Sequence, residues 1–433
     1  MCDFIMNDFE PSSAAAWKQK IQFELQGADY NKTLLTKTNE GITIKPFYHL
    51  DDFEKITIPS AEINPKICKK VVISNEKQAN LEAIKAFRNG VNSLKFVADT
   101  IFNIDEVFRN LLNKNIEFHF QLNFLSEEFL LKLIEFLSNE MSYLNIDIIG
   151  NLAKTGNWYK NLNTDFKTIE NLLQKNNSKF ILSVNANIYQ NAGANTVQQV
   201  AYALAHVNEY FTKFDANIAS KIQFNFATGS NYFFEISKIR AFRYLYNLIL
   251  SKYNTSANAQ IYSEPSLRNK TLFHKITNTF RSNTEIESAV LGGSNTISNE
   301  FSSEELLQNN LLKNTQHIVK GTYYIEAITK QITEKALTIF KEIEKSGGFL
   351  SQLKEGTIQR KIKENAQKEQ TQFESRTLVL VGANKFQNKI TSLKEDVDKN
   401  LLQKKKARKT LIIPITTKRL SEKLELKKLK NEA

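Results

Sequence analysis

A chain of 433 residues, 41% of them hydrophobic, can bury a large core and is too long for one small domain. Its two cysteines, Cys2 and Cys68, exclude a disulfide framework and a cysteine metal site, and no apolar run approaches the ~20 residues that span a membrane. The formal net charge of +12 lies mostly at one end: residues 401–433 hold eleven Lys and Arg against Glu422, Glu425 and Glu432, so the body is nearly neutral.

The first 60 residues are irregular. The opening MCDFIMNDFEPSS is acidic and lacks the basic-then-apolar order of a signal peptide, so a soluble cytoplasmic protein is expected. A helix is predicted from Trp17 to Gln26, ended by Gly27. An extended piece follows at Gly41–Pro46, where Pro46 argues against a central strand. Such an arm cannot bury itself and is expected to lie on the body or on a partner.

From about residue 69 the rhythm becomes regular. Short apolar runs at 71–74, 94–98, 116–122, 146–150, 180–184, 222–227, 259–262 and 288–291 read as eight strands. Helical patterns lie between them, as at 77–88, 104–113, 126–140, 196–213 and 231–251. The clearest unit is 222–249. There Ile222, Phe224 and Phe226 alternate with Gln223 and Asn225, Thr228-Gly229-Ser230 turns, and Phe233, Ile236, Ile239, Leu245 and Ile249 return at helical spacing. Eight strands alternating with helices predict an α/β fold of the (β/α)8 (TIM) barrel type, with an N-terminal extended arm and a C-terminal helical extension. A doubly wound open sheet ranks second, because no Gly-rich turn follows a first strand.

Gly292-Gly293-Ser294 turns the chain after the last predicted strand. Helices are predicted at 324–344 and 350–369 around Gly347-Gly348, then an apolar run at 377–381. The expected organisation is an arm over 1–60, the barrel over 61–330 and the extension with its basic tail over 331–433. In the tail, Leu411, Ile412, Ile413, Leu420, Leu424, Leu426 and Leu429 are interleaved with the charges. The first reading is a docked amphipathic segment; a polyanion-binding tail is the second.

None of the five histidines, His49, His119, His206, His274 and His317, stands three to five residues from another, so no helical metal pair exists and each reads as structural. No G-x-S-x-G elbow and no P-loop occurs. In a barrel of this type the working residues stand at the C-terminal strand ends. The candidates are Ser74, Asn75, Asp99, Gln121, Asn123, Asn151, Asn185, Asn187, Thr228, Ser230 and Glu264. Amides and hydroxyls dominate. The only carboxylates are Asp99 and Glu264, with no histidine or lysine expected beside them, which makes a poorly armed mouth.

Several blocks, in order along the chain, resemble the adenosylcobalamin-dependent methylmalonyl-CoA mutase family. They begin with Trp17, Leu25-Gln26-Gly27-Ala28-Asp29-Tyr30, Thr38-Asn39-Glu40-Gly41-Ile42 and Lys45-Pro46 with Tyr48. Ala192-Gly193-Ala194, Val197-Gln198 and Tyr202-Ala203-Leu204-Ala205 follow. The unit at 222–249 supplies Gly229, Asn231, Phe233-Phe234, Glu235-Ile236, Lys238, Arg240-Ala241 and Arg243. Then come Arg281, Thr284-Glu285, Leu291-Gly292-Gly293, Asn314-Thr315-Gln316 and Tyr323-Tyr324-Ile325-Glu326. Gly347-Gly348, Gly356-Thr357-Ile358-Gln359 and Val381-Gly382-Ala383-Asn384-Lys385 complete the set.

The resemblance implies a mutase barrel, and its departures imply lost chemistry. Catalytic members carry a cobalamin-binding domain with an Asp-x-His-x-x-Gly motif; none of the five histidines has that context, and no such domain is expected here. Their Tyr-His pair falls on Asn187 and Ile188. Their arginine- and tyrosine-rich acyl-CoA segment has no counterpart between Asp52 and Val71, and their Pro-Ala-Gly-Gly-Ser before the Tyr-Tyr block is missing, since Lys320 is followed directly by Gly321-Thr322. The pattern is similar to the small, non-catalytic subunit of a heterodimeric methylmalonyl-CoA mutase. That implies no catalytic, cofactor-binding or metal residue on this chain, adenosylcobalamin in a catalytic large-subunit partner, and neither nucleic acid nor membrane as a partner. It also implies an N-terminal arm reaching over that partner. Gly229, Asn231, Phe234, Glu235, Lys238, Arg240, Arg243, Gly292 and Gly293 are then scaffold or interface residues, with Phe233, Phe234 and Ile236 packing and the two arginines making structural pairs or interface contacts. The alternatives are a mutase barrel active with cobalamin from a separate chain, and a polyanion-binding protein acting through the tail.

Overall fold

Eight short strands close on one another in the computed structural model, which describes residues 10–59, 65–175, 180–273, 275–298, 300–301, 318–386, 401 and 408–431. They are β3 (Lys66–Val72), β4 (Ser93–Ala98), β5 (Glu117–Leu122), β6 (Ser142–Ile146), β7 (Phe180–Val184), β8 (Ile222–Thr228), β9 (Gln260–Pro265) and β10 (Thr296–Ser298). Every neighbouring pair is parallel, and β10 joins β3 to complete a barrel. The outer faces are apolar because helices cover them. Phe224 and Phe226 of β8 meet Phe242 at 4.7 and 4.9 Å, on the helix α10 (Tyr232–Lys252) that follows. Phe96, Phe118 and Phe120 gather around Phe108 of α4 (Ile104–Phe108) in the same way.

Several helices start just past strand ends because a polar side chain caps their first turn. Asn75 caps α3 (Glu76–Arg88), Asn103 caps α4 and Ser126 caps α5 (Glu127–Phe136). Asp147 caps α6 (Ile148–Thr155), and Asn195 forms a capping box with Gln198 on α9 (Thr196–Phe214). Between the last two lie α7 (Leu162–Lys175) and the short α8 (Asn187–Ala192).

Two expected strands are corrected. The run 146–150 is divided: the strand is Ser142–Ile146, and the Asp147 carboxylate accepts the Gly150 N–H at 2.6 Å to start a helix. The run 288–291 is the last turn of α11 (Lys275–Gly292), with Ile286, Ala289 and Val290 buried at helical spacing. The eighth strand comes after the glycine turn. Four apolar residues cannot tell a buried helical turn from a strand. The first strand starts at Lys66, earlier than expected, because its inward face is polar and breaks the apolar run. The helix expected at 350–369 is two, α13 (Phe349–Lys354) and α14 (Thr357–Glu374), parted at Gly356 with φ +78°. Residues 377–381 pair only through a bridge from Val381 to Lys385. His274, His317 and Asn314-Thr315-Gln316 lie outside the described residues.

The arm holds α1 (Ala14–Glu24), α2 (Tyr30–Leu34) and the small antiparallel pair β1 (Thr36–Lys37) and β2 (Thr43–Ile44). It lies along α12 (Tyr323–Lys345), with Tyr48 on Tyr324 at 5.2 Å and Phe53 on Tyr323 at 5.1 Å. No residue of α1 is buried, and Trp17 and Phe23 stay exposed. Helix α12 runs through the expected boundary at 330/331, so barrel and extension share one helix.

The tail is docked over its described length and ends in α15 (Glu422–Asn431). Leu411, Ile415, Lys418 and Leu420 donate backbone N–H groups to the carbonyls of Gly156, Ala153, Asn191 and Arg268 at 2.7–3.0 Å. Ile412, Ile415 and Leu420 bury, whereas Leu411 and Ile413 remain exposed. Among the described residues no helix is long and apolar enough to cross a membrane.

Candidate functional site

Strand register decides what faces the barrel axis. Partners in adjacent parallel strands point to the same side. The pairs His119–Tyr143, Ser183–Gln223, Asn225–Tyr262 and Ala227–Glu264 therefore share the lumen. Lys70 and Lys95 form such a pair on β3 and β4.

The lumen is filled. His119 stacks on Tyr143 with centroids 4.2 Å apart, its Nδ1 lies 3.2 Å from Gln223 Oε1, and Tyr262 leans on the same imidazole at 5.3 Å. None of these four side chains is more than 2% exposed. Burial lowers the His119 pKa, against the pull of Glu117, so the ring stays neutral near pH 7. It is packing within the barrel, with no open path to substrate.

Above this plug the C-terminal ends of the strands open into two adjoining cavities of about 490 and 190 Å³. Lys95, Gln121, Lys154, Asn187 and Ile188 line both. Glu264 lines the smaller one. Lys95 Nζ lies 3.4 Å from its Oε2, and Asn187 Nδ2 donates to its Oε1 at 2.6 Å. Burial works to raise the Glu264 pKa, but Lys95, Asn187 and Lys70 outweigh it, so the carboxyl is held below its usual range. Lys70 pairs with Glu300 at 3.0 Å; burial opposes its charge, and Glu300 prevails and raises its pKa. Asn123 donates to Asp99 at 2.6 Å, and Asn225 to Asn185 at 2.6 Å.

Of the strand-end candidates, Asp99, Gln121, Asn123, Asn151, Asn185, Asn187 and Glu264 line the cavities. Asn151 does so from α6, where its amide donates to the Asn157 carbonyl at 3.0 Å. Asn75 is spent as a helix cap, Thr228 donates to the Glu264 carbonyl at 3.2 Å, and Ser74 and Ser230 are exposed outside both cavities. The expectation that no lysine stands beside the carboxylates is overturned by Lys95 and Lys70. Their signal was the alternation in KICKKVV and SLKFVA, which sets lysine opposite the outward Phe96. Lys154, Tyr159 and Asp147 were also missed, because they arrive from a helix and a loop.

The other described histidines are engaged. His206 is fully buried, with Nε2 3.0 Å from Asp147 Oδ1 in a contact poorly aligned for a hydrogen bond, and Nδ1 2.8 Å from the Tyr189 hydroxyl. His49 Nδ1 accepts the Asp51 N–H at 3.1 Å. Among the described residues no group of three His, Cys, Asp or Glu could hold a metal ion. The mouth thus has carboxylates held by lysine and amide groups.

The landmark residues after β8 are wired into the scaffold. Lys238 is buried, pairs with Glu235, and donates to the Ala227 carbonyl at 2.6 Å and Gln199 Oε1 at 2.9 Å. Arg240 meets Glu326 at 2.5 Å. Arg243 donates to the Gly293 carbonyl, Asn295 Oδ1 and the Ala259 carbonyl at 2.6, 2.7 and 2.9 Å. A Cβ on Gly292 would lie 2.9 Å from Ile239 Cβ, and one on Gly229 2.8 Å from Gln190 Nε2. Asn231 precedes α10 without a side-chain cap bond, and Phe234 and Ile236 are buried. Phe233, expected to pack, is 46% exposed and touches Tyr324 edge-on. Asn187 and Ile188 both face the cavities.

Residues 140–433 match the family model for methylmalonyl-CoA mutase. The chain is 30% identical over 448 residues to the methylmalonyl-CoA mutase small subunit of Porphyromonas gingivalis, covering 89% of this chain and 71% of that protein. It is 28% identical to the large subunit from the same organism, over 47% of this chain and 33% of that one. It is 27% identical to the human mitochondrial methylmalonyl-CoA mutase, over 58% and 35%. The chain therefore spans about a third of the length of the large subunit and the human enzyme.

Proposed function

Because the chain belongs to the methylmalonyl-CoA mutase family, we propose that it is a small, non-catalytic subunit of a heterodimeric mutase whose large subunit interconverts methylmalonyl-CoA and succinyl-CoA. In this reading the complex is an isomerase of propionate metabolism in the cytoplasm, adenosylcobalamin sits in the large subunit, and the exposed Trp17 and Phe23 of the arm meet that partner. The carrying observation is the barrel interior. The resemblance sets Asn187 and Ile188 where catalytic members have Tyr and His. Beneath them His119, Tyr143, Gln223 and Tyr262 fill the axis. A carbon-skeleton rearrangement requires a thioester held in a closed, water-free site, and a filled lumen leaves no room for its long arm.

Adenosylcobalamin supplies radical chemistry when bound. The described residues of this chain do not fit it as ligands: His119 and His206 have no exposed surface, and His49 caps a turn.

The test is to express the chain with and without the large-subunit gene and to assay the interconversion with adenosylcobalamin. Co-purification with a large subunit and turnover only in its presence are expected. Turnover by this chain alone with free adenosylcobalamin would overturn the proposal in favour of a barrel that is itself active.

A further inference from the structure

The barrel mouth carries more charge and polarity than a scaffold requires. Lys154, in the last turn of α6, reaches into the larger cavity and is exposed to its water, with no ion-pair or hydrogen-bond partner among the described residues. The charges acting on it are Glu264, Lys95, Lys70 and Asp99, and its enclosure by the rim works against its own charge. Arg408 arrives at the same rim on the docked tail. It spends one nitrogen on the carbonyl of Thr155 at 3.0 Å, next in sequence to Lys154, and lines the same cavity. A lysine in a last helical turn gains something from the helix dipole. That accounts neither for an unpaired ammonium at the cavity nor for a guanidinium brought to the neighbouring Thr155 carbonyl from 253 residues away.

The lining has other chemistry too. The Asp99–Asn123 pair in the larger cavity and the Glu264–Asn187 pair at the smaller adjoining one present carboxylate and amide groups, and the buried Asn145 Oδ1 and Asn187 Oδ1 have no partner. Acceptors of this kind take hydrogen bonds from hydroxyl groups, whereas ammonium and guanidinium groups take phosphate oxygens. A cavity of about 490 Å³ suits a small metabolite.

We propose that the mouth binds a small phosphorylated polyol, with its phosphate on Lys154 and Arg408 and its hydroxyls on the Asp99–Asn123 and Glu264–Asn187 pairs. The site is built jointly by barrel and tail, and it requires no catalysis by this chain. It stands whether or not the subunit reading holds.

The test is titration calorimetry of the full chain at low ionic strength with glycerol 3-phosphate, inorganic phosphate and glycerol. Glycerol 3-phosphate should bind, inorganic phosphate about tenfold more weakly, and glycerol alone not measurably. Lys154→Met and Arg408→Gln should each weaken glycerol 3-phosphate about tenfold or more. Their thermal midpoints should match the parent, because both side chains are exposed. Asp99→Ala should weaken glycerol 3-phosphate and leave inorganic phosphate unchanged. The proposal is overturned by no heat with glycerol 3-phosphate at millimolar concentration. It is equally overturned by binding that survives Lys154→Met together with Arg408→Gln, or by inorganic phosphate binding as tightly as the ester.

Discussion

Removing the Asp147 carboxylate tests the packing behind the mouth. It is 3% exposed and accepts from Gly150 N at 2.6 Å, Asn185 N at 2.8 Å and the Tyr210 hydroxyl at 2.8 Å, with His206 Nε2 at 3.0 Å. One side chain thus ties the β6–α6 turn to the end of β7 and to α9. In Asp147→Ala, three donors lose their acceptor and the buried His206 Nε2 loses its polar neighbour. Each orphaned buried donor costs about 1–3 kcal/mol. These costs are not additive once water enters, so a net loss of about 4 kcal/mol is expected. Urea unfolding followed by circular dichroism should show it as a lower midpoint at unchanged slope. Burial works to raise the Asp147 pKa, but the charge of His206 and the N–H groups of Asn185 and Gly150 outweigh it, so the folded value lies below the ordinary one. The carboxylate's contribution is then complete above the unfolded pKa of about 3.9 and is lost as pH falls through the folded value. The gap between parent and Asp147→Ala due to this group should hold down to about pH 4 and shrink below it. A loss under about 1 kcal/mol, or a gap that widens on acidification, would refute the reasoning.

Lys238→Met should cost about 3–5 kcal/mol by leaving Glu235 buried without its cation, and Lys238→Met with Glu235→Gln should recover part of that in the same unfolding assay. Lys95→Met removes the largest interaction that opposes burial at Glu264, so the Glu264 pKa should rise in a carbon-13 NMR titration; an unchanged value would sink the pairing. Gly156 has φ +78°, and a Cβ there would lie 2.7 Å from the Ile412 carbonyl oxygen and Thr410 Cβ. Gly156→Ala should cost about 1–3 kcal/mol and speed tryptic cleavage near Lys409 and Lys418, whereas an unaltered digestion pattern would contradict a docked tail. Burial pushes the Cys68 thiol up to about 11. In a Cys2→Ser background, no native thiol should react with a thiol reagent at pH 8, and one should react after denaturation.

Much of the barrel was legible from local pattern. Ile222, Phe224 and Phe226 alternate because only their side meets α10. Where the pattern failed, tertiary burial had removed the contrast it depends on. The end of α11 is as apolar as a strand, and β10 is only three residues long and mostly polar. The site divided along the same line. Asp99, Asn187 and Glu264 could be named from their place at strand ends. Lys95 could not be set against Glu264, nor Arg408 in the same cavity as Lys154.

The sequence by itself determined the alternating units and the family blocks. Each is a property of residues close along the chain, where spacing alone sets which side chains share a face. Only the tertiary structure decided that the lumen is filled, and that a lysine and a glutamate 169 residues apart meet across the mouth. Barrel closure and strand register bring those groups together, and register is fixed by the pairing of whole strands, which no local window contains.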